Sequence, residues 1–249
     1  MAGNIYETDR LVREYLLFHY GSADEILPHP AGPRDALDFA VRCVSELINP
    51  AALGPDARAL DIGCAVGRSA FELARHCRNV TALDFSQAFI TAAERLRAAG
   101  EIAYEHTVEG HRTASTTARI PSGVDPSRIR FAVGDAMALP DDLGAFDVVL
   151  AANLLCRLPD PRVFLARLPS LVKPGGQLLM TTPFTWLAEF TSPEKWIGGQ
   201  PGLESATELQ VILAPHFELQ LAKDLPFLIR EHARKFQWSV AWGMRWVRR

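Results

Sequence analysis

Two carboxylates and two glycines stand in a fixed order in Asp61-Ile62-Gly63-Cys64-Ala65-Val66-Gly67, followed downstream by Leu83-Asp84-Phe85-Ser86. The spacing reads as a strand, a glycine turn, a helix and a second strand ending in an acid. Gly63 and Gly67 lack a Cβ where the backbone must turn sharply and where a ligand can approach the main chain. A helix beginning near Gly67 offers N–H groups with no partner in its first turn. Asp84, at the tip of the second strand, can accept both hydroxyls of a ribose. Together these residues predict a nucleoside pocket at the carboxyl ends of parallel strands. A plain strand-turn-helix with a capping acid would use the same residue types.

A dinucleotide site would place a further glycine where the pyrophosphate approaches. Cys64-Ala65-Val66 stands there instead, and Asp61 would repel phosphate. The same acid suits water or an ammonium group, and therefore the amino-acid end of S-adenosylmethionine. The D-x-G-x-x-x-G pattern resembles motif I of the class I methyltransferases. Asp135, in Gly134-Asp135-Ala136, can accept from the exocyclic amine of adenine while the Ala136 amide donates to the ring. Phe85 can pack beside the adenine or join the core, Cys64 forms a wall of the site, and Asn153 falls near the methionine part. Each has a structural alternative: Asp135 as a turn former, Asn153 as a helix cap, the glycines as loop residues.

The elements that must carry these residues follow from periodicity. Strands are predicted over 57–61, 80–84, 130–133, 146–151 and 177–182, with helices over 68–76, 86–98, 161–171 and 203–213 between or after them. Residues 146–151 form a mainly apolar run, as in a strand covered on both faces. Two helices, 8–19 and 33–48, precede the first strand. Residues 101–128 break the rhythm with alternating Tyr104, His106 and Val108, a turn at Glu109-Gly110-His111 and a threonine-rich run, which predicts an inserted β-hairpin. Lys173-Pro174-Gly175-Gly176 reads as the turn before the fifth strand. Period-two alternation over 217–229 and 236–247 predicts two closing antiparallel strands.

The chain has 249 residues, 48% of them hydrophobic, and a formal net charge of −3. Such a balance fits one α/β domain spanning residues 1–249 and argues against a polyanion partner, so no nucleic acid is expected. The four cysteines are scattered without a C-x-x-C pair, as in a reduced, cytoplasmic protein. The first residues are neither basic nor followed by an apolar run, so neither a signal peptide nor a membrane segment is expected. His106 and His111 have no further ligands at metal spacing, and no metal is predicted.

Two terminal regions carry side chains that a sheet core does not need. Tyr6-Glu7-Thr8-Asp9 leads into Tyr15-Leu16-Leu17-Phe18-His19-Tyr20-Gly21. Later come Thr181-Thr182-Pro183-Phe184-Thr185-Trp186-Leu187-Ala188-Glu189-Phe190-Thr191, Trp196-Ile197-Gly198-Gly199 and residues 226–238. With the glycine loop and Ala151-Ala152-Asn153-Leu154, these runs resemble the 4-mercaptohistidine N1-methyltransferases of ovothiol biosynthesis. That activity is familiar both as the C-terminal domain of an iron-dependent 5-histidylcysteine sulfoxide synthase and as a separate protein. The chain lacks the synthase portion and so looks like the stand-alone form.

The resemblance implies an α/β, Rossmann-like class I methyltransferase with a mostly parallel seven-stranded sheet. An N-terminal helical extension, residues 1–50, would serve as a lid, and the hairpin would be an insertion. Methyl transfer from S-adenosylmethionine to an imidazole nitrogen is implied, giving ovothiol A and S-adenosylhomocysteine. The implied partner is a small histidine-derived thiol, with a functional link to a sulfoxide synthase. Glu7, His19 and Asn153 are the candidates for catalysis, and Tyr15 and Tyr20 join the cofactor set. Tyr6, Tyr20, Phe184, Trp186, Glu189 and Arg230 are the candidates for the acceptor, with Arg230 for its carboxylate and Glu189 or Glu231 for its ammonium. The ring-binding residues, any general base and the oligomeric state stay open at this level. Another small acceptor, or a silent cofactor-binding partner protein, are the competing readings.

Overall fold

In the computed structural model, which describes residues 5–249, the mainly apolar segment 146–152 lies in the middle of a seven-stranded sheet. The first four residues of the expected extension lie outside the described residues. The strands in chain order are β1 (Arg58–Ile62), β2 (Asn79–Asp84), β3 (Glu101–Glu109), β4 (Arg112–Arg119), β5 (Ile129–Val133), β6 (Phe146–Ala152), β7 (Val172–Thr182), β8 (Phe217–His232) and β9 (Lys235–Arg248). The large sheet runs β5-β2-β1-β6-β7-β9-β8. β9 runs antiparallel to both β7 and β8, and the other pairs are parallel. Chain order reverses on either side of β1, which opens a crevice at the carboxyl ends of β1 and β6.

Helices α1 (Asp9–Tyr20), α2 (Ala23–Ile26), α3 (Phe39–Ser45), α4 (Arg68–Leu73), α5 (Gln87–Ala99), α6 (Pro161–Leu171) and α7 (Ser205–Leu213) cover the sheet. Side chains that alternate along each strand build two separate cores. Ala59, Val148, Leu150 and Leu179 pack with Phe39, Phe71 and Phe89 under α3, α4 and α5. Leu60, Ile62, Val149 and Met180 pack with Phe164, Leu165 and Leu209 under α6 and α7. Being covered on both faces is what makes the middle strands read as unbroken apolar runs.

The ends of α5 follow its capping residues. The Phe89 amide donates to the Ser86 hydroxyl at 3.1 Å, and Gly100 closes the helix in the left-handed region at φ 80. The single helix expected over 33–48 is corrected to the short α3, because Asp38 takes a left-handed backbone at φ 55 that a right-handed helix cannot pass through. The turn at Lys173-Pro174-Gly175-Gly176 lies inside β7 as a loop-out: Phe146 pairs with Val172, and Val148 with Gln177.

The hairpin is present as β3 and β4, a two-stranded sheet of its own. The closing strands are longer than their alternation predicts. β7 pairs with β9 only as far as Thr182 opposite Trp242; β8 and β9 continue together to His232 opposite Lys235. The resulting arm extends past the carboxyl edge of the sheet and meets the other hairpin, where the Ala233 amide donates to the Val108 carbonyl at 3.0 Å. Phe227 on the arm packs against Phe18 of α1 and Phe39 of α3. α1 therefore lies between the strand tips, where the Tyr20 hydroxyl reaches the Val66 carbonyl, and the two arms, which pack on its other faces. Among the described residues no helix is long and apolar enough to cross a membrane.

Candidate active site

The loop after β1 is tied to the tip of β2. The Gly63 and Cys64 amides both donate to the Leu83 carbonyl, at 2.8 and 3.0 Å, and the Ala65 amide donates to Asp84 Oδ2 at 2.9 Å. Asp84 Oδ1 accepts from the Ser86 amide at 2.9 Å. One bond to each oxygen leaves lone pairs on both for two further donors. Burial raises the Asp84 pKa, and the two amides act against that rise.

Gly63 and Gly67 both have positive φ, 78 and 88. At Gly67 an added Cβ would lie 2.6 Å from Phe131 Cζ. Ala65 holds φ 47 without being glycine, a strain that its bond to Asp84 helps to maintain. The Cys64 thiol is buried, and burial pushes its pKa well up, so it is a neutral wall rather than a nucleophile.

Asp61 points to the α4 side of β1, where it is completely buried and accepts from the Ser69 hydroxyl at 2.7 Å. Its other oxygen, Oδ1, has no partner. Burial pushes its pKa up to about 7, with a smaller contribution from Asp84, against the Ser69 bond. A buried acid with an orphan oxygen beside the glycine loop calls for a cationic or donating ligand group.

At the adjoining tips, Phe85 is 63% exposed, so it belongs to the surface above β2 and not to the core. Asp135 is exposed and accepts from the Met137 amide at Oδ1 at 2.8 Å, the bond of a turn former. Ala136 is half-buried next to it. Asn153 ends β6 at φ 51. Its amide donates to the Thr181 carbonyl at 2.8 Å, and its Oδ1 accepts from the Thr181 hydroxyl at 2.9 Å. With the carbonyl oxygen engaged, the side-chain NH2 is the group left to face the crevice.

The N-terminal segment covers these tips with rings. Tyr6 packs against Tyr15, Phe89 and Phe190 with centroids 6.2, 5.9 and 6.4 Å away. Tyr15 lies 4.8 Å from Phe89 and 5.7 Å from His19. The Tyr20 hydroxyl donates to the Val66 carbonyl at 2.9 Å, which pins α1 to the glycine loop. Burial raises the Tyr15 and Tyr20 pKa values. Burial and then the nearby Arg68 lower that of His19 to about 3, so its ring is neutral, with Nδ1 unpartnered.

Several expected residues sit elsewhere. The Glu7 carboxylate accepts from the Gln87 and Ala88 amides at 2.9 and 3.1 Å; it caps α5, and its expected place facing the acceptor is corrected accordingly. Arg230 lies on the far side of α1. There it is 6% exposed, donates to the Glu25 carbonyl and lines a cavity of about 150 Å³ with Arg13, Leu17 and His106. Arg13 and Leu17 face away from Tyr15 and His19 around the helix, so Arg230, expected to pair with the acceptor carboxylate, lies apart from the other candidate acceptor residues on α1. Trp186 turns to the second core and donates from Nε1 to the Ser205 hydroxyl at 3.1 Å. Phe184 takes φ 50 and lies 6.2 Å from the Trp242 ring. Glu189 is exposed on the same loop, and Glu231 is paired with Lys235 at 2.7 Å.

Three contributors carried no sequence signal. Arg157 follows β6 in a short turn, stacks its guanidinium 5.0 Å from the Phe190 ring centre and donates to the Thr185 carbonyl at 3.1 Å. Ser69 and Thr181 orient Asp61 and Asn153, and nothing in their neighbours distinguishes them from ordinary helix and strand residues. All four cysteines are buried and unpaired.

Residues 60–180, just under half of the chain, match the family described as "Methyltransferase domain". A ubiquinone biosynthesis O-methyltransferase of Xanthomonas axonopodis pv. citri (strain 306) is 30% identical over 154 residues, 61% of this chain and 53% of that protein. A 2-methyl-6-phytyl-1,4-hydroquinone methyltransferase of Synechocystis sp. is 28% identical over 179 residues, 69% and 48% of the two chains. The chain thus spans about half the length of the curated relatives it matches. Among solved structures, a SAM-dependent methyltransferase from Methanosarcina mazei superposes with TM-score 0.54 and 19% identity, covering 81% of this chain and 98% of the other. The [4+2]-cyclase SpnF superposes with TM-score 0.57 and 22% identity, covering 90% and 74%.

Proposed function

With a methyltransferase domain at residues 60–180 and a class I methyltransferase fold as the premise, we propose that this protein is an S-adenosylmethionine-dependent N-methyltransferase. Its proposed acceptor is an imidazole nitrogen of 4-mercaptohistidine. The cofactor part rests above all on Asp84, whose two oxygens are fixed by the Ala65 and Ser86 amides and keep lone pairs for a ribose. Asp61 adds a buried carboxylate with an orphan oxygen for the cofactor's ammonium. Phe85 and Asp135 are the groups for adenine, and Gly63, Cys64, Ala65 and Gly67 form the bare backbone between them.

When bound, S-adenosylmethionine supplies an electrophilic methyl group to an acceptor lone pair. The chain's own residues need to align that acceptor and keep water out. Tyr6, Tyr15 and Tyr20 form an aromatic roof that excludes water. A neutral His19 can accept or donate at Nδ1 without carrying charge into the site. The Asn153 amide, held by Thr181, is a fixed donor at the end of β6. A thiolate is the stronger nucleophile of 4-mercaptohistidine, so selectivity for nitrogen requires fixed donors of this kind to hold the ring. The N-terminal run that resembles the ovothiol enzymes supplies the tyrosines and His19, and the run 151–154 supplies Asn153.

The test is incubation of the purified protein with S-adenosylmethionine and 4-mercaptohistidine. Mass spectrometry should find the N-methylated thiohistidine with an equal amount of S-adenosylhomocysteine. No product, or methylation on sulfur, refutes this acceptor. The name of one curated relative, a ubiquinone biosynthesis O-methyltransferase, favours one second reading, O-methylation. A panel that includes a catechol separates the two.

A further inference from the structure

Arg157 is a half-buried cation at the edge of the crevice, and none of the ion pairs among the described residues includes it. Its Nη1 donates to the Cys156 and Thr185 carbonyls, both at 3.1 Å, and its plane lies over Phe190. Two carbonyls and a ring face therefore fix the guanidinium in orientation and leave its charge unbalanced. An arginine with five N–H donors held in this way is pre-organised for an anion that can take two of them at once.

The position narrows the anion. Arg157 lies four residues beyond Asn153, on the turn Leu155–Arg157, and reaches outward to the 184–190 loop. Burial raises the Tyr6 pKa, and Arg157 opposes that rise through its charge and a hydrogen bond to the Tyr6 side chain. The guanidinium thus stands beside Tyr6, within the aromatic roof. Asp61 and Asp84, at the ends of β1 and β2, are suited to the donor. The oxygens of Asp84 are already held by the Ala65 and Ser86 amides.

We propose that Arg157, backed by Phe190 and bordered by Tyr6, binds a carboxylate of the methyl acceptor, so that the acceptor class is a small carboxylic acid. This site rests on the methyl-transfer reading but not on the identity of the acceptor. Arg230, in its separate cavity across α1, is not needed for that role.

The test uses the protein loaded with S-adenosylhomocysteine and two neutral-to-anionic matched probes, benzoate and benzamide, with binding measured by calorimetry or saturation-transfer NMR. Wild type should bind benzoate about tenfold to a hundredfold more tightly than benzamide, the range of a charge-assisted hydrogen bond. Arg157→Gln should abolish the difference, and Arg157→Lys should keep part of it. The S-adenosylhomocysteine dissociation constant should stay within twofold in both variants, which also reports that they fold. Equal binding of the two probes by wild type overturns the proposal, as does a preference that survives in Arg157→Gln. A tenfold loss of S-adenosylhomocysteine affinity in Arg157→Gln also overturns it, by assigning Arg157 to the donor's carboxylate. If 4-mercaptohistidine is not methylated while the Arg157-dependent preference stands, the acceptor's identity falls and this site does not.

Discussion

The Ala65 amide donates to Asp84 Oδ2 at 2.9 Å, joining the glycine loop after β1 to the acid at the end of β2. One carboxylate thereby shapes the loop and keeps lone pairs for a ligand. Replacing Asp84 with alanine should raise the S-adenosylhomocysteine dissociation constant at least tenfold and cost about 1–3 kcal/mol of stability through the unpartnered amides. Asp84→Asn, which keeps one acceptor, should fall between. Calorimetric binding unchanged in Asp84→Ala would remove the ribose assignment.

Asp61 makes stability and binding depend on pH in opposite directions. Its folded pKa of about 7 lies above the ordinary value of 3.8, so the folded chain holds a proton that the unfolded chain releases. Stability from this group is full below about pH 4 and is lost as pH rises toward 7. Each tenfold change in a protonation equilibrium is worth about 1.4 kcal/mol, so the loss is a few kcal/mol. A cationic ligand needs the ionised form, so S-adenosylhomocysteine affinity should rise between pH 6 and 8. Asp61→Asn should flatten both profiles and bind more weakly at pH 8. Denaturation and titration series over this range measure both.

Gly67 permits the turn into α4 and leaves room for Phe131. Gly67→Ala places a Cβ 2.6 Å from the Phe131 ring at φ 88, and strain plus overpacking should cost about 3 kcal/mol. Phe131→Leu in the same chain should recover the overpacking part only. Urea denaturation of the double variant showing no recovery would mean that the backbone conformation alone sets the penalty.

Glu7 holds the amino end of α5 while fixing the turn that carries Tyr6. Glu7→Ala should lower stability by about 1 kcal/mol, and Glu7→Gln, which keeps an acceptor, by less. Methyl transfer by Glu7→Gln at near wild-type rate is the expected result. A loss of activity far greater than the loss of stability would return Glu7 to the acceptor.

The α/β core and the order of its site-bearing tips could be read from the chain, because strand burial, glycine turns and capping residues are local properties. Asp61, Gly63, Gly67 and Asp84 belong to one contiguous strand-turn-helix-strand unit whose geometry its own residue types impose. Arg230 and Glu7 show where such reading stops. Each has the right charge and lies in a suggestive run, but Arg230 was carried past the sheet edge by an arm whose length depends on pairing between β8 and β9. Glu7 found the α5 amides only once the N-terminal turn had docked.

What the residues determined by themselves is therefore a ligand cradle: two acids and bare backbone at adjoining strand ends, set by short-range sterics and hydrogen bonding. What the tertiary structure alone decided is the roof and its contents. It set Tyr6 against Phe89 and Phe190, left His19 neutral, laid Arg157 over the Phe190 ring and took Arg230 into a separate cavity. Those outcomes arise from contacts between segments far apart in the chain, where packing, desolvation and long-range strand pairing act, and no local spacing encodes them.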